Sequence, residues 1–125
     1  MAGIILIVED HDAVRESLHT WLSISFPRYM IVTAASGEEA VEIVRDVSPD
    51  VVVMDISLPG ISGIETTRRI KHNAPKAQVI MLTIHEERAY QLDAASAGAS
   101  AFVPKRQMQA LLLPLLETFL PAGIA

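Results

Sequence analysis

Three carboxylates in this chain stand where apolar runs stop. Ile4-Ile5-Leu6-Ile7-Val8 stops at Glu9-Asp10, and Val51-Val52-Val53-Met54 stops at Asp55. A continuous apolar, largely β-branched run suits a strand covered on both faces, as in a parallel sheet. Open α/β sheets bind their ligands at the carboxyl ends of such strands. Acids gathered there repel one another unless a cation joins them, which points to a hard-metal site. Mg²⁺ takes roughly six oxygens at ~2.0–2.1 Å, keeps some waters, and is commonly held by one or two carboxylates plus phosphate. Two acids can therefore hold the ion while a third reacts, and a carboxylate can attack a phosphoryl group to give an aspartyl phosphate. That chemistry needs neutralisation of the phosphoryl oxygens. Thr83, after Val79-Ile80-Met81-Leu82, and Lys105, after Ala101-Phe102-Val103-Pro104, offer a hydroxyl and an ammonium at two further strand ends.

Positioning these groups requires strands and helices in strict alternation, and the patterns supply it. After the first strand, Asp12 reads as the cap of a helix to Phe26, with Val14, Leu18, Trp21 and Leu22 at helical spacing and Pro27 as the stop. Tyr29 to Ala34 reads as the second strand. Ser36-Gly37-Glu38-Glu39 matches a capping box before a helix that Ser48-Pro49 ends, and Asp50 opens the third strand. Leu58-Pro59-Gly60 is turn chemistry, and Ser62-Gly63-Ile64-Glu65 is a second capping box, opening a helix to His72. Gln78 to Leu82 is the fourth strand. A helix over Glu86 to Ala97 follows, with Gly98 placed to end it, then a short strand over Ser100 to Val103 and a helix over Gln107 to Leu120. Five βα units demand right-handed crossovers, hence an α/β fold with one five-stranded parallel sheet and helices on both faces. The common strand order for such a sheet, 2-1-3-4-5, makes the two acid-tipped strands neighbours.

At 125 residues, half of them apolar, the chain is one domain with one sizeable core. A net charge of −5 argues against direct nucleic-acid contact, and the absence of cysteine excludes disulfides, thiol catalysis and Cys-ligated zinc. No segment approaches the ~18–20 apolar residues that span a bilayer, and the N-terminal run lacks the features of a signal peptide, so a cytoplasmic protein is expected.

The segments Leu6-Ile7-Val8-Glu9-Asp10-His11, Met54 to Gly63, Leu82-Thr83 and Pro104-Lys105 together resemble the receiver domain of two-component response regulators, over nearly the whole of residues 1–125. The resemblance implies the flavodoxin-like (βα)5 receiver fold and phosphorylation of Asp55 by a sensor histidine kinase. Glu9, Asp10 and Asp55 would hold Mg²⁺ with the backbone carbonyl of Ser57. Thr83 would bind the phosphoryl oxygen and move inward on activation, Phe102 would follow as the switch aromatic, and Lys105 would pair with Asp55 at rest. Asp10-His11-Asp12, Leu82 to Glu87 and Phe102 to Lys105 look most like receivers joined to a C-terminal LuxR-type helix-turn-helix. No such output domain is present, so the chain reads either as a stand-alone receiver, acting by protein contact or as a phosphorelay intermediate, or as the first part of a transcription regulator, with Gly123-Ile124-Ala125 opening a linker. Arg106 follows the lysine where many receivers have a cis proline, and Glu9 stands in place of the commoner aspartate.

Competing readings fare worse. A flavodoxin-like cofactor module would need a phosphate cradle after the first strand, where Glu9-Asp10-His11-Asp12 repels anions. An aspartyl phosphatase would place a second acid just after its nucleophile, and Ile56-Ser57-Leu58 has none. Such a receiver is a signalling phosphoacceptor, catalysing only its own phosphorylation and dephosphorylation. His11 and His85 lie in loops at the active edge; both read first as surface histidines, and His85, with Ser57, is the candidate for tuning phosphoryl lifetime. His19 and His72 read as helix surface. Nine of the fourteen residues from Gln107 to Leu120 are apolar, more than one face requires. Either a homodimer surface is left over, or the helix kinks at Pro114 and packs more deeply.

Overall fold

The computed structural model describes residues 3–121, and Gly123-Ile124-Ala125 lie outside that range. Strands β1 (Gly3–Val8), β2 (Tyr29–Ala34), β3 (Val51–Asp55), β4 (Gln78–Thr83) and β5 (Ala101–Pro104) alternate with helices α1 (Asp12–Ser25), α2 (Gly37–Asp46), α3 (Gly63–Asn73), α4 (Arg88–Ala97) and α5 (Met108–Phe119). A turn of 3₁₀ helix, Lys105–Gln107, precedes α5. The strands form one parallel sheet in the order β2-β1-β3-β4-β5, as expected.

The apolar runs of β1 and β3 are buried because alternate side chains enter two cores. Ile5, Ile7, Val51 and Val53 pack with Ile80 and Leu82 against α1 and α5, through Leu18, Leu22, Leu112 and Leu116. Leu6, Val8, Val52 and Met54 pack on the opposite face against Ala40 and Val44 of α2, Ile70 of α3 and Ala94 of α4. Both faces of the central strands are thereby removed from water, at about 25 cal/mol per Å² of apolar surface. Among the described residues no helix is long and apolar enough to cross a membrane.

Both capping boxes form at their N-terminal serines. Ser36 Oγ accepts from Glu39 N and Ser62 Oγ from Glu65 N, each at 3.1 Å. Ser62→Ala is expected to cost about 1 kcal/mol, read as a lower urea midpoint at an unchanged slope. Gly98 ends α4 in the left-handed conformation, φ +108°.

Four expectations need correction. Asp12 is not the cap of α1: His11 occupies that position, without a side-chain cap bond, and Asp12 in the first turn is drawn to Arg15 Nη2 at 2.6 Å. Helix α4 opens at Arg88 instead of Glu86, because Glu87 is extended at the cap position. The last strand runs over Ala101–Pro104 and not Ser100–Val103, since it follows the register of β4 as far as Thr83↔Pro104. Helix α5 begins one residue later than Gln107, after the 3₁₀ turn, and ends at Phe119.

The surplus leucines of α5 are mostly taken up by the core. Leu112 and Leu116 are fully buried and Leu120 nearly so; Met108, Leu113, Leu115 and Phe119 are partly buried against the same cluster. Leu111 is left exposed. Pro114 lies inside α5 on its exposed side, where Thr118 Oγ1 bonds its carbonyl at 2.9 Å.

Candidate phosphoacceptor and metal site

Register alone brings the acids together. The last β1–β3 pair is Val8↔Met54, so one step further along each strand sets Glu9 beside Asp55. Asp55 in turn faces Leu82 of β4, and Thr83 faces Pro104 of β5. Four strand ends thus converge on one edge, and Lys105 reaches across from the fifth strand. Its Nζ lies 3.0 Å from Asp55 Oδ2 and 3.4 Å from Glu9 Oε1.

Glu9 and Asp55 are buried carboxylates, which is costly unless each is paired. Lys105 meets both, and Ser57 N donates to Asp55 Oδ1 at 2.9 Å. Burial alone would push Lys105 down, yet the hydrogen bond and charge of Asp55, with Glu9 behind it, leave its pKa raised, so it stays an ammonium. His11 closes the other side, its backbone N and ring Nδ1 lying 3.2 and 3.1 Å from Glu9 Oε2. That hydrogen bond, and then the charge of Asp10, raise the imidazole's pKa.

Glu9, Asp10, His11 and Asp55 each offer a ligand atom, all lying within 4.8 Å of one another. Three carboxylates against the one lysine leave two negative charges, which a single divalent cation would cancel. Asp10 Oδ1 is buried without a hydrogen-bond partner, with His11 Nδ1 at 3.5 Å. An orphaned carboxylate oxygen beside two further carboxylates, with His11 the one nitrogen donor at the edge, fits a hard cation. The residues therefore suit Mg²⁺.

The remaining candidates are placed around this cluster without joining it. The Thr83 side chain is buried, but its hydroxyl is engaged by the backbone of His85, accepting from His85 N at 2.8 Å and donating to His85 O at 3.3 Å. No hydrogen bond joins it to Asp55 among the described residues. Phe102 is partly buried against the α2–α3–α4 core. His85 stacks on Tyr90, ring centroids 4.8 Å apart, and Ser57 is exposed. His19 and His72 are helix surface, as read.

Sequence reasoning missed three supports. His11 is the surface residue expected, and in addition it is bonded to Glu9. Arg15 Nη1 donates to the Glu9 carbonyl at 3.0 Å while Nη2 holds Asp12, steadying the chain at the end of β1. The i,i+3 spacing of Asp12 and Arg15 is a legible signal for the second contact. Arg106 makes a two-pronged pair with Glu86, at 3.0 and 2.7 Å, tying the loop after Thr83 to the residue after Lys105. Twenty residues separate those partners, and no local pattern announces them.

Comparison with known proteins agrees with this geometry. A family model described as the response regulator receiver domain matches residues 5–117. The transcriptional activator protein ExaE of Pseudomonas putida is 37% identical over 116 residues, 93% of this chain and 54% of that protein. The response regulator UvrY of Escherichia coli is 37% identical over 101 residues, 81% of this chain and 46% of that protein. The chain thus spans about half the length of these curated relatives. A LuxR-family response regulator from Aurantimonas superposes with a TM-score of 0.85 at 38% identity, covering 94% of this chain and 84% of that one. The response regulator TrrA of Thermotoga maritima, solved in complex with Mg²⁺ and BeF, gives 0.83 at 33% identity, covering 94% and 99%.

Proposed function

Because this chain belongs to the response regulator receiver family of two-component systems, we propose that Asp55 is its phosphoacceptor. The carrying observation is the pairing of a buried Asp55 with Lys105 inside the cluster that also contains Glu9 and Asp10. A sensor histidine kinase would supply the phosphoryl group. An Asp55 carboxylate oxygen bonds to phosphorus as the phosphorus–nitrogen bond of the donor phosphohistidine breaks, and the imidazole nitrogen keeps the electron pair and takes a proton. Glu9, Asp10, Asp55 and the Ser57 backbone carbonyl would hold Mg²⁺, which when bound neutralises phosphoryl oxygens. Lys105 would pass from Asp55 to the phosphoryl group. Thr83 would leave the His85 backbone to meet it, with Phe102 following, biasing a two-state equilibrium.

ExaE is a transcriptional activator protein, so the reading extends to a cytoplasmic receiver whose switching controls an output domain, DNA being contacted only through that domain. The alternative, a receiver working through protein contact or as a relay intermediate, shares the same chemistry. Incubation with acetyl phosphate and Mg²⁺ tests both: intact mass rises by one phosphoryl group, mapped to the Asp55 peptide, and does not rise with EDTA. No gain, or gain elsewhere, removes the assignment.

Two finer expectations belong here. His85, joined through its backbone to Thr83, and Ser57, joined to Asp55, would bound the approach of water to an acyl phosphate on Asp55. His85→Ala is expected to change the dephosphorylation half-life several-fold, about 1 kcal/mol in barrier, and an unchanged half-life excludes the role. A homodimer through α5 would use partly buried Met108 and Leu113 with the neighbouring Val14 and Trp21 of α1. Sedimentation of the phosphorylated chain should show a dimer; a monomer at high concentration in both states rules it out.

A further inference from the structure

The loop joining β3 to α3 carries Ser57 next to the reacting carboxylate, and it is held in place by a side chain outside the acidic cluster. We propose that Glu38, in the first turn of α2, is a positioning residue for the metal site: by fixing the apex of this loop at Gly60-Ile61, it sets where the Ser57 backbone stands beside Asp55. The inference deepens the phosphoacceptor reading and rests on it.

Glu38 Oε2 accepts from Ile61 N at 3.1 Å, across 23 residues of chain. The fit is close. Gly60 has φ +72°, a left-handed conformation, and a Cβ there would run into Glu38 Oε2 and lie 2.9 Å from Oε1. The glycine is thus needed for its handedness, and a side chain there would displace the Glu38 carboxylate from the loop. Gly37, beside Glu38, comes equally near: a Cβ on it would run into Thr66 Oγ1 and lie 2.8 Å from Ile61 Cγ1. Helix α2 is therefore seated directly on the loop.

The loop is closed at its base, where Gly63 N donates to Ile56 O at 3.0 Å and a Cβ on Gly63 would lie 2.7 Å from Ile56 Cα. Its first residue is tied to the site through Ser57 N and Asp55 Oδ1. Apart from Asp55, no side chain outside the loop hydrogen-bonds residues 57–61 among those described, except Glu38. With the base pinned and Leu58 packed on the core, Glu38 makes the one hydrogen bond from outside the loop that reaches its apex among the described residues. Hydrogen bonds to an ionised acceptor are the stronger kind, and no cation competes for this carboxylate among the described residues.

A simpler role exists for an acid at this position, since negative charge in a first turn favours the helix and adds to the potential that attracts a cation. Three variants of the full chain separate the two. Glu38→Asp keeps the charge and loses the reach; Glu38→Gln loses the charge and keeps an acceptor; Glu38→Ala loses both. With Mg²⁺ as the probe and calorimetry as the readout, Glu38→Asp and Glu38→Ala are expected to bind about 10-fold more weakly, the low end of outer-shell substitutions. Glu38→Gln stays within about 2-fold of the parent on the same scale, and the Ser57 amide resonance shifts only in the first two. Parental affinity in Glu38→Asp, or equal weakening in Glu38→Gln and Glu38→Ala, overturns the inference. Asp10→Asn run alongside tests the reading beneath it: unchanged Mg²⁺ affinity there shows that the metal site itself is wrongly assigned.

Discussion

Asp55→Asn is expected to abolish phosphoryl uptake from acetyl phosphate, a loss on the order of 10³-fold or more, while the protein stays folded. The reason is chemical before it is structural. A carboxylate oxygen carries the electron pair that attacks phosphorus, and a neutral amide offers no comparable nucleophile. The surroundings tolerate the change because the amide carbonyl still accepts from one of the two donors now on Asp55, Ser57 N at 2.9 Å or Lys105 Nζ at 3.0 Å. Lys105 also keeps Glu9 at 3.4 Å. Intact-mass analysis reads the loss, and a circular dichroism melt shows that folding survives. Residual uptake at the parental rate would move the phosphoacceptor elsewhere.

Asp10→Asn is expected to act in two opposite directions. Without metal the variant is more stable by about 1–2 kcal/mol, the scale of the cost of a buried polar atom left unpartnered. Asp10 Oδ1 is such an atom, and an asparagine amide could donate to the neighbouring carboxylates. The substitution also removes one of three negative charges crowded within 4.8 Å. The same change removes a proposed ligand, so Mg²⁺ affinity is expected to fall on the order of 10²-fold, at the upper end of what even supporting residues cost. Urea midpoints measured with and without Mg²⁺ check both directions. The parent should gain stability on adding the ion and the variant should not, because a ligand stabilises only the state that binds it. A variant less stable than the parent in the absence of metal would mean that repulsion in the cluster is already compensated.

Both expectations follow from a site whose parts come from four strands, and its visibility in the sequence was uneven. Glu9, Asp10, Asp55, Thr83 and Lys105 were each legible because each ends an apolar run, and the β1–β3–β4–β5 register then had no choice but to align them. The groups that hold them were not. His11 is exposed, as its loop position suggests, but no local pattern announces its bond to Glu9, and Asp12 has the type of a cap although it serves as the partner of Arg15. Helix α5 could be read as over-apolar but not resolved further, since whether Leu113 or Leu115 meets a core depends on how far α5 lies over α1 and the sheet.

Local patterning already specifies the alternation of strands and helices, both serine caps, the turn at Pro59-Gly60 and the placement of the candidate site residues at strand ends. These are properties of residue type and of periods of two or 3.6, written within a few neighbouring positions. Only the tertiary structure decided that the Thr83 hydroxyl rests on the His85 backbone, that Glu86 is held by Arg106, and that Glu38 holds Ile61. Hydrogen bonds between separate elements depend on distances set by the packing of whole helices on the sheet. Partners 20 or 23 residues apart therefore leave no periodic trace in the chain that makes them.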